Sequence, residues 1–97
     1  MIKKIVLSKH AQLKIKERRL DVDAIKRVIE EPASLFFDIL SKTMAAIRKV
    51  EISGIETNLV VVFTHQAEEV KVITAYPCRN IDREIKAKEG KRWLKIK

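Results

Sequence analysis

The run at residues 59–63, LVVVF, most restricts what this chain can fold into. Five successive apolar residues leave no polar side for an extended strand to turn toward water. Such a strand belongs in the middle of a sheet, fully buried, and the segments around it supply its neighbours. Residues 35–40 (LFFDIL) and 44–52 read as two strands before it, and Ser53-Gly54 marks a turn. After a second turn at 67–69, residues 70–76 (VKVITAY) form the next strand. Period two puts Val70, Val72, Thr74 and Tyr76 on one face of it, and Pro77 ends it.

The remaining segments have helical signatures, apart from a short strand at residues 2–7 (IKKIVL). Ser8 stands at an N-cap position ahead of a helix over 9–19. Leu20-Asp21 is a tight joint, with Asp21 capping a second helix. Ile25, Val28 and Ile29 recur at i, i+3, i+4, which makes that helix amphipathic, and Pro32 stops it. Residues 80–89 (NIDREIKAKE) form a last helix with Ile81 and Ile85 four apart and Gly90 at C′. The order β-α-α-β-β-β-β-α, in 97 residues, predicts one α+β domain over residues 1–97. An N-terminal strand and a helical hairpin pack on an antiparallel sheet, and a C-terminal helix follows.

Several function classes are excluded. Two glycines leave no glycine-rich phosphate loop. One cysteine and two histidines cannot close a usual zinc site, so no metal and no cofactor is expected. Cys78, alone, cannot form an internal disulfide, which agrees with a reducing compartment. No segment reads as a signal peptide or a membrane span, so a cytoplasmic protein without a membrane partner is expected.

The net charge of +8 is unevenly placed. Residues 1–31 hold nine Lys/Arg and five Asp/Glu (+4), residues 32–77 four and five (−1), and residues 78–97 eight and three (+5). Two basic ends around a neutral block suit a polyanion, because each cation that neutralises a phosphate releases counterions. Ordinary solvated helix faces give the same pattern without a ligand.

Chemistry is concentrated in a few positions. His10, Lys14 and Arg18, spaced i, i+4, i+8, fall on one helical stripe within roughly 80° of arc. Metal-free RNA cleavage needs a base, an acid and cations for the pentavalent phosphate, and an imidazole beside an amine and a guanidinium can supply them. Alternatively, His10 packs near the helix start and the cations face water. Arg48 shares a strand face with Met44, Ala46, Val50 and Ile52, so it reaches a site or a buried carboxylate; the other reading is an edge residue or a salt bridge to Asp38. His65, at the end of the central strand, is a second possible base or an exposed turn residue. Tyr76 and Arg79, with Thr74, line a sheet face where a phenol can stack on a base; the other reading of Tyr76 is a core-edge aromatic. Cys78 has no histidine partner in sequence and reads as an incidental thiol. In the tail, Lys91, Arg92 and Trp93 mix cations with an indole, as single-stranded nucleic acid requires. The competing account docks Trp93, Leu94 and Ile96 on the domain.

The stretch SKHAQLKIKERRLDVDAIKRVIEEP (8–32), with its His-Ala, Glu-Arg, short joint and terminal Pro, and the stretch LVVVFTHQAEEVKVITAYP (59–77) resemble an uncharacterised small-domain family related to RelE/ParE-type toxins. The resemblance implies a RelE/ParE-like fold. RelE relatives cleave mRNA on the ribosome and ParE relatives act on DNA gyrase. Taken with the His-Lys-Arg stripe and the net charge of +8, the resemblance leads to the expectation of an RNA-binding domain of a toxin-antitoxin system, acting as a metal-independent endoribonuclease through His10, Lys14, Arg18, Arg48 and Tyr76, with Arg79, Lys91, Arg92 and Trp93 on the RNA. The alternative is a non-catalytic basic module for nucleic acid or a protein. The ribosome and a small acidic or DNA-binding antitoxin are the implied partners. Arg19 stands where that family commonly has Gly, so a less tightly turned joint is expected.

Overall fold

The computed structural model describes residues 4–97. The chain is α+β. Its elements are β1 (Ile5–Leu7), α1 (Lys9–Glu17), α2 (Val22–Glu30), β2 (Ser34–Asp38), β3 (Thr43–Ile52), β4 (Ile55–Gln66), β5 (Glu69–Cys78), α3 (Ile81–Lys88) and β6 (Trp93–Lys95). The expected first strand is present from Ile5; residues 2 and 3 lie outside the described residues. One six-stranded sheet has the order β1-β5-β4-β3-β2-β6. β4 is central, and Leu59, Val60 and Val61 are fully buried as their sequence requires.

Both faces of the sheet are covered. On one face α1 and α2 enclose a core of Ala11, Ile15, Ile25, Val28, Leu59 and Val61 with their neighbours. On the other, Phe36, Ala45, Ile47, Val60 and Trp93 form a second core, against which Ile81 and Ile85 of α3 pack. The alternation of Leu59 and Val61 with Val60 divides β4 between the two cores.

Local rules hold at the joints. Ser8 Oγ accepts from Ala11 N–H (3.0 Å) and Asp21 Oδ1 from Asp23 N–H (2.9 Å), so both N-caps are made. Arg19 does not loosen the helical joint. It takes φ +53°, and Leu20 N–H donates to Ile15 C=O (2.9 Å) while Arg19 N–H donates to Lys16 C=O (3.3 Å). That is a Schellman motif, with Ile15 and Leu20 buried together; their burial outweighs the strain of a side chain at a left-handed position. Ser53 (φ +52°) and Gly54 (φ +80°) close the β3–β4 hairpin as a two-residue turn of type I′.

Four features depart from the sequence reading. β1 pairs with β5 in parallel, so the sheet is mixed rather than wholly antiparallel. The tail adds β6, antiparallel to β2. β5 runs through Pro77, because β1 reaches only Val70–Val72 and leaves residues 73–78 on a free edge, where a sheet tolerates proline. Most consequentially, Val62 pairs with Thr74 but Phe63 pairs with Val72, so Ile73 is an extra residue in β5. The bulge breaks the expected alternation. Val70 and Val72 face α1 and α2, whereas Tyr76 joins the opposite core. Ser8 secures the bulge: its Oγ donates to Ile73 C=O (3.1 Å) and its N–H to Val72 C=O (3.0 Å).

Candidate nucleic-acid interface

β5 ends at Cys78, and the chain turns through Arg79 into α3. Asn80 caps that helix, its Oδ1 accepting from Arg83 N–H (3.1 Å). Beside this turn lie the ends of β3 and β4, where Lys49 is paired with Asn58 and Val50 with Thr57. The elements bound a cleft of about 590 Å³, within the range of small-ligand sites. Lys49 and Arg79 supply cations, Asn58 an amide, Ile55 and Ile81 apolar walls, and Glu56 and Asp82 carboxylates. Thr57 also lines it, and its hydroxyl oxygen is buried without a hydrogen-bond partner among the described residues.

Next to the cleft, a polar network fastens α3 to the sheet. Tyr76 donates its hydroxyl to Glu84 Oε1 (2.8 Å), and Lys88 Nζ binds the same oxygen (2.8 Å). Burial, then the adjacent Glu84 carboxylate, pushes the Tyr76 phenol well above its ordinary range, so it acts as a neutral donor. Burial raises the Glu84 carboxyl too, but hydrogen bonds from Lys88, Cys78 and Tyr76 outweigh it and hold the carboxyl below its usual value. Burial and the same carboxylate push the Cys78 thiol up, the opposite of what a nucleophilic cysteine needs. Lys88 Nζ also lies 4.8 Å from the centre of the Trp93 ring. Beyond it, Arg92 pairs with the buried Asp38 (Nη2 to Oδ2, 2.6 Å).

Residues 7–77 match the family described as a domain of unknown function, DUF4258. The chain belongs to this family. No curated protein and no solved structure matches it. The matched region of this DUF4258 member runs from β1 to Pro77, so it includes Lys49, Asn58 and Tyr76 and stops before Arg79, α3 and β6. The cleft is therefore built from both sides of that boundary.

The five residues grouped as a catalytic set do not converge. His10 is exposed near the start of α1. Lys14 pairs with Glu17 (3.3 Å) on its own helix. Arg18 spans to β5, donating from Nη1 to Ala75 C=O (2.6 Å), and so satisfies a carbonyl of the free strand edge. Arg48 donates from Nη1 to Glu31 C=O (2.8 Å) at the C-terminus of α2, where a cation also suits the helix dipole. It cannot meet Asp38, which lies on the other face of the sheet with Phe36. Tyr76 is also on that other face, turned there by the Ile73 bulge. His65 is exposed at the end of β4, edge-on to Phe63 with ring centres 5.5 Å apart.

Of the four tail and turn residues assigned to RNA, Arg79 and Lys91 are exposed. Arg92 is committed to Asp38. Trp93 is 2% exposed and stacks on Phe36 with ring centres 5.0 Å apart, so its indole is a core residue and not a platform for a base. The docking account of the tail holds for Trp93 but not for Leu94 and Ile96, which remain in water. Lys49, Asn58, Glu84 and Lys88 are absent from the residues that the sequence singles out. The i, i+4 spacing of Glu84 and Lys88 is a visible signal; the pairing of Lys49 with Asn58 depends on strand register and gives none. Among the described residues, no group of His, Cys, Asp and Glu could hold a metal ion, and no helix is long and apolar enough to cross a membrane.

Proposed function

We propose that this protein is a RelE/ParE-type domain that binds RNA, acting as a non-catalytic basic module. One nucleotide occupies the cleft at Arg79, and the phosphates that follow lie along α3 and the tail. The observation that carries this reading is the free charge beside the cleft. Arg79, Arg83, Lys86, Lys91, Lys95 and Lys97 are all exposed, and their side chains have no ion-pair partner among the described residues. Counter-charges near them are few: within residues 79–97 the acids are Asp82, Glu84 and Glu89, and Glu84 is consumed by Lys88 and Tyr76. In the cleft, Lys49 and Arg79 suit a phosphate, Ile55 and Ile81 suit a base, and Asn58 and Asp82 suit base edges or ribose hydroxyls. A ribosome and a small acidic or DNA-binding antitoxin remain the partners that the toxin resemblance implies.

The test is fluorescence anisotropy with a mixed-sequence single-stranded RNA across a salt series. If about five phosphates are neutralised, the log-log salt slope is about −3 to −4. Arg79→Glu weakens binding about tenfold or more and makes the slope shallower. No binding at about 50 mM salt would sink the proposal. The catalytic reading is tested in the same tubes with EDTA. Products ending in 2′,3′-cyclic phosphate that vanish with His10→Ala would restore a metal-independent endoribonuclease on the α1 stripe.

A further inference from the structure

A second hollow lies at the same end of the sheet as the cleft, on the face that carries α1 and α2. Leu59 and Ala75 are fully buried in the core that those helices enclose. Period two carries the same face on to Thr57 in β4, and Pro77 in β5 lies opposite Leu59. Thr57 is only half-buried and Pro77 is exposed, so the helical cover stops there. Arg18 marks its limit, since the guanidinium bonds to Ala75 C=O at the strand edge. Past that point Ile52 and Ile55, paired across the type I′ turn, continue the apolar face. Ile52 still packs on the helical-face core, whereas Ile55 is 59% exposed.

Together Ile52, Ile55, Thr57, Pro77 and Arg79 bound a hollow of about 340 Å³. At about 30 Å³ for each water-sized group, that volume holds about ten non-hydrogen atoms. Its chemistry is narrow. Three of its walls are aliphatic, none is aromatic, and no acid lines it; the one charge is the exposed Arg79 guanidinium. Thr57 adds a hydroxyl whose oxygen is buried and has no hydrogen-bond partner among the described residues. The cleft proposed for RNA opens on the opposite face with Lys49 and Asn58, and it contains two carboxylates besides. A nucleotide would find in the smaller hollow no flat ring to stack on and no side-chain amide for a base edge. An aliphatic chain that ends in one carboxylate fits. Its tail covers the two isoleucines and the proline, and its head takes the fork of Arg79.

We propose that this hollow binds a small aliphatic carboxylate, with Arg79 on the carboxylate and Ile52, Ile55 and Pro77 on the tail. The inference goes beyond RNA binding. Arg79 borders both hollows, but the assay contains no RNA, so the failure of either reading leaves the other standing. The probe is sodium octanoate, titrated against the full chain and followed by amide chemical shifts. Octylamine, with the same tail and the opposite charge, is the control. The expected result is saturable binding with a Kd of about 1 mM or tighter, which a ligand of about ten non-hydrogen atoms reaches at modest efficiency. The shifts gather on the amides of Ile52, Ile55, Thr57 and Arg79, and octylamine binds about tenfold more weakly. Arg79→Gln weakens octanoate about tenfold by removing the charged donors, and Ile55→Asp does so by setting a carboxylate against the ligand. Both positions are exposed, and a thermal melt checks that each variant folds. No saturation by about 10 mM, equal binding of the two probes, shifts that gather on the basic tail instead, or indifference to either variant overturns the proposal. So does self-association of the free protein that Ile55→Asp abolishes, which would make the hollow a contact between copies.

Discussion

Asp38 holds the C-terminal strand to the rest of the sheet, and replacing it by asparagine isolates that contribution. The Asp38 side chain is 8% exposed, and both its oxygens are engaged. Oδ1 accepts from Leu40 N–H (3.0 Å) and Ser41 N–H (3.2 Å), and Oδ2 accepts from Arg92 Nε (2.9 Å) and Nη2 (2.6 Å). Burial alone would raise the carboxyl, but the bonds from Arg92, Ser41 and Leu40 overcome it and lower the pKa from 3.8 to about 2. At about 1.4 kcal/mol per tenfold change, that drop corresponds to about 2 kcal/mol. Arg92 is 38% exposed, so solvent screening reduces the figure to about 1–2 kcal/mol. Because the folded value lies below the unfolded one, this stability is complete above about pH 5 and is lost as the pH falls toward about 2. The Asp38→Asn amide would keep an acceptor for the two backbone N–H groups but could not titrate. Urea unfolding, followed by the single Trp, which adjoins the site, measures both forms at about pH 7 and across about pH 2–5. Asp38→Asn should be about 1–2 kcal/mol less stable at about pH 7, and the gap should close by about pH 2. If the two proteins lose the same stability on acidification, the account of Asp38 is wrong.

Three other outcomes follow from the same structure. Arg19→Gly relieves a left-handed side chain and should raise stability by about 1 kcal/mol; a loss on thermal unfolding would mean that Arg19 makes a contact the Schellman geometry does not need. The chain has one tyrosine, so its phenolate absorbance reports Tyr76 alone. Ionisation should begin above the ordinary value of 10.0 in the native protein and move down in Glu84→Gln; no movement would remove Glu84 as a cause. The single Trp should emit as a buried indole, resist iodide, and change little when RNA binds. Strong quenching by RNA would instead place a base on the Trp93 ring.

Much of the fold is legible because it depends on neighbours in sequence. LVVVF demands a buried central strand, Ser8 and Asp21 cap the helices they precede, Ser53-Gly54 makes a turn, and Ile25, Val28 and Ile29 choose the inner face of α2. Ile81 and Ile85, four apart, likewise mark the face that α3 packs on the sheet. The candidate site is less legible, because it depends on which face of a sheet a residue reaches. A period-two count carries Tyr76 to the face of Val70 and Val72, and one extra residue at Ile73 sends it to the other side. No local pattern announces that bulge; it is stabilised by Ser8, whose hydrogen bond to Ile73 spans 65 positions of sequence. Arg48 and Arg18 resemble phosphate ligands in sequence because an arginine among apolar residues needs a partner, and the fold supplies backbone carbonyls at Glu31 and Ala75.

What the residues alone determined were the elements other than β6, the basic ends and the absence of a glycine-rich phosphate loop, since these follow from side-chain chemistry and short-range periodicity. Only the tertiary structure decided which cations are free. Arg92 and Arg18 are neutralised or satisfied by groups far along the chain on another element, while Arg79 and Lys49, distant in sequence, are brought to one cleft by strand register. Coulomb attraction and hydrogen bonding act over a few ångströms of space, and sequence separation does not measure that distance.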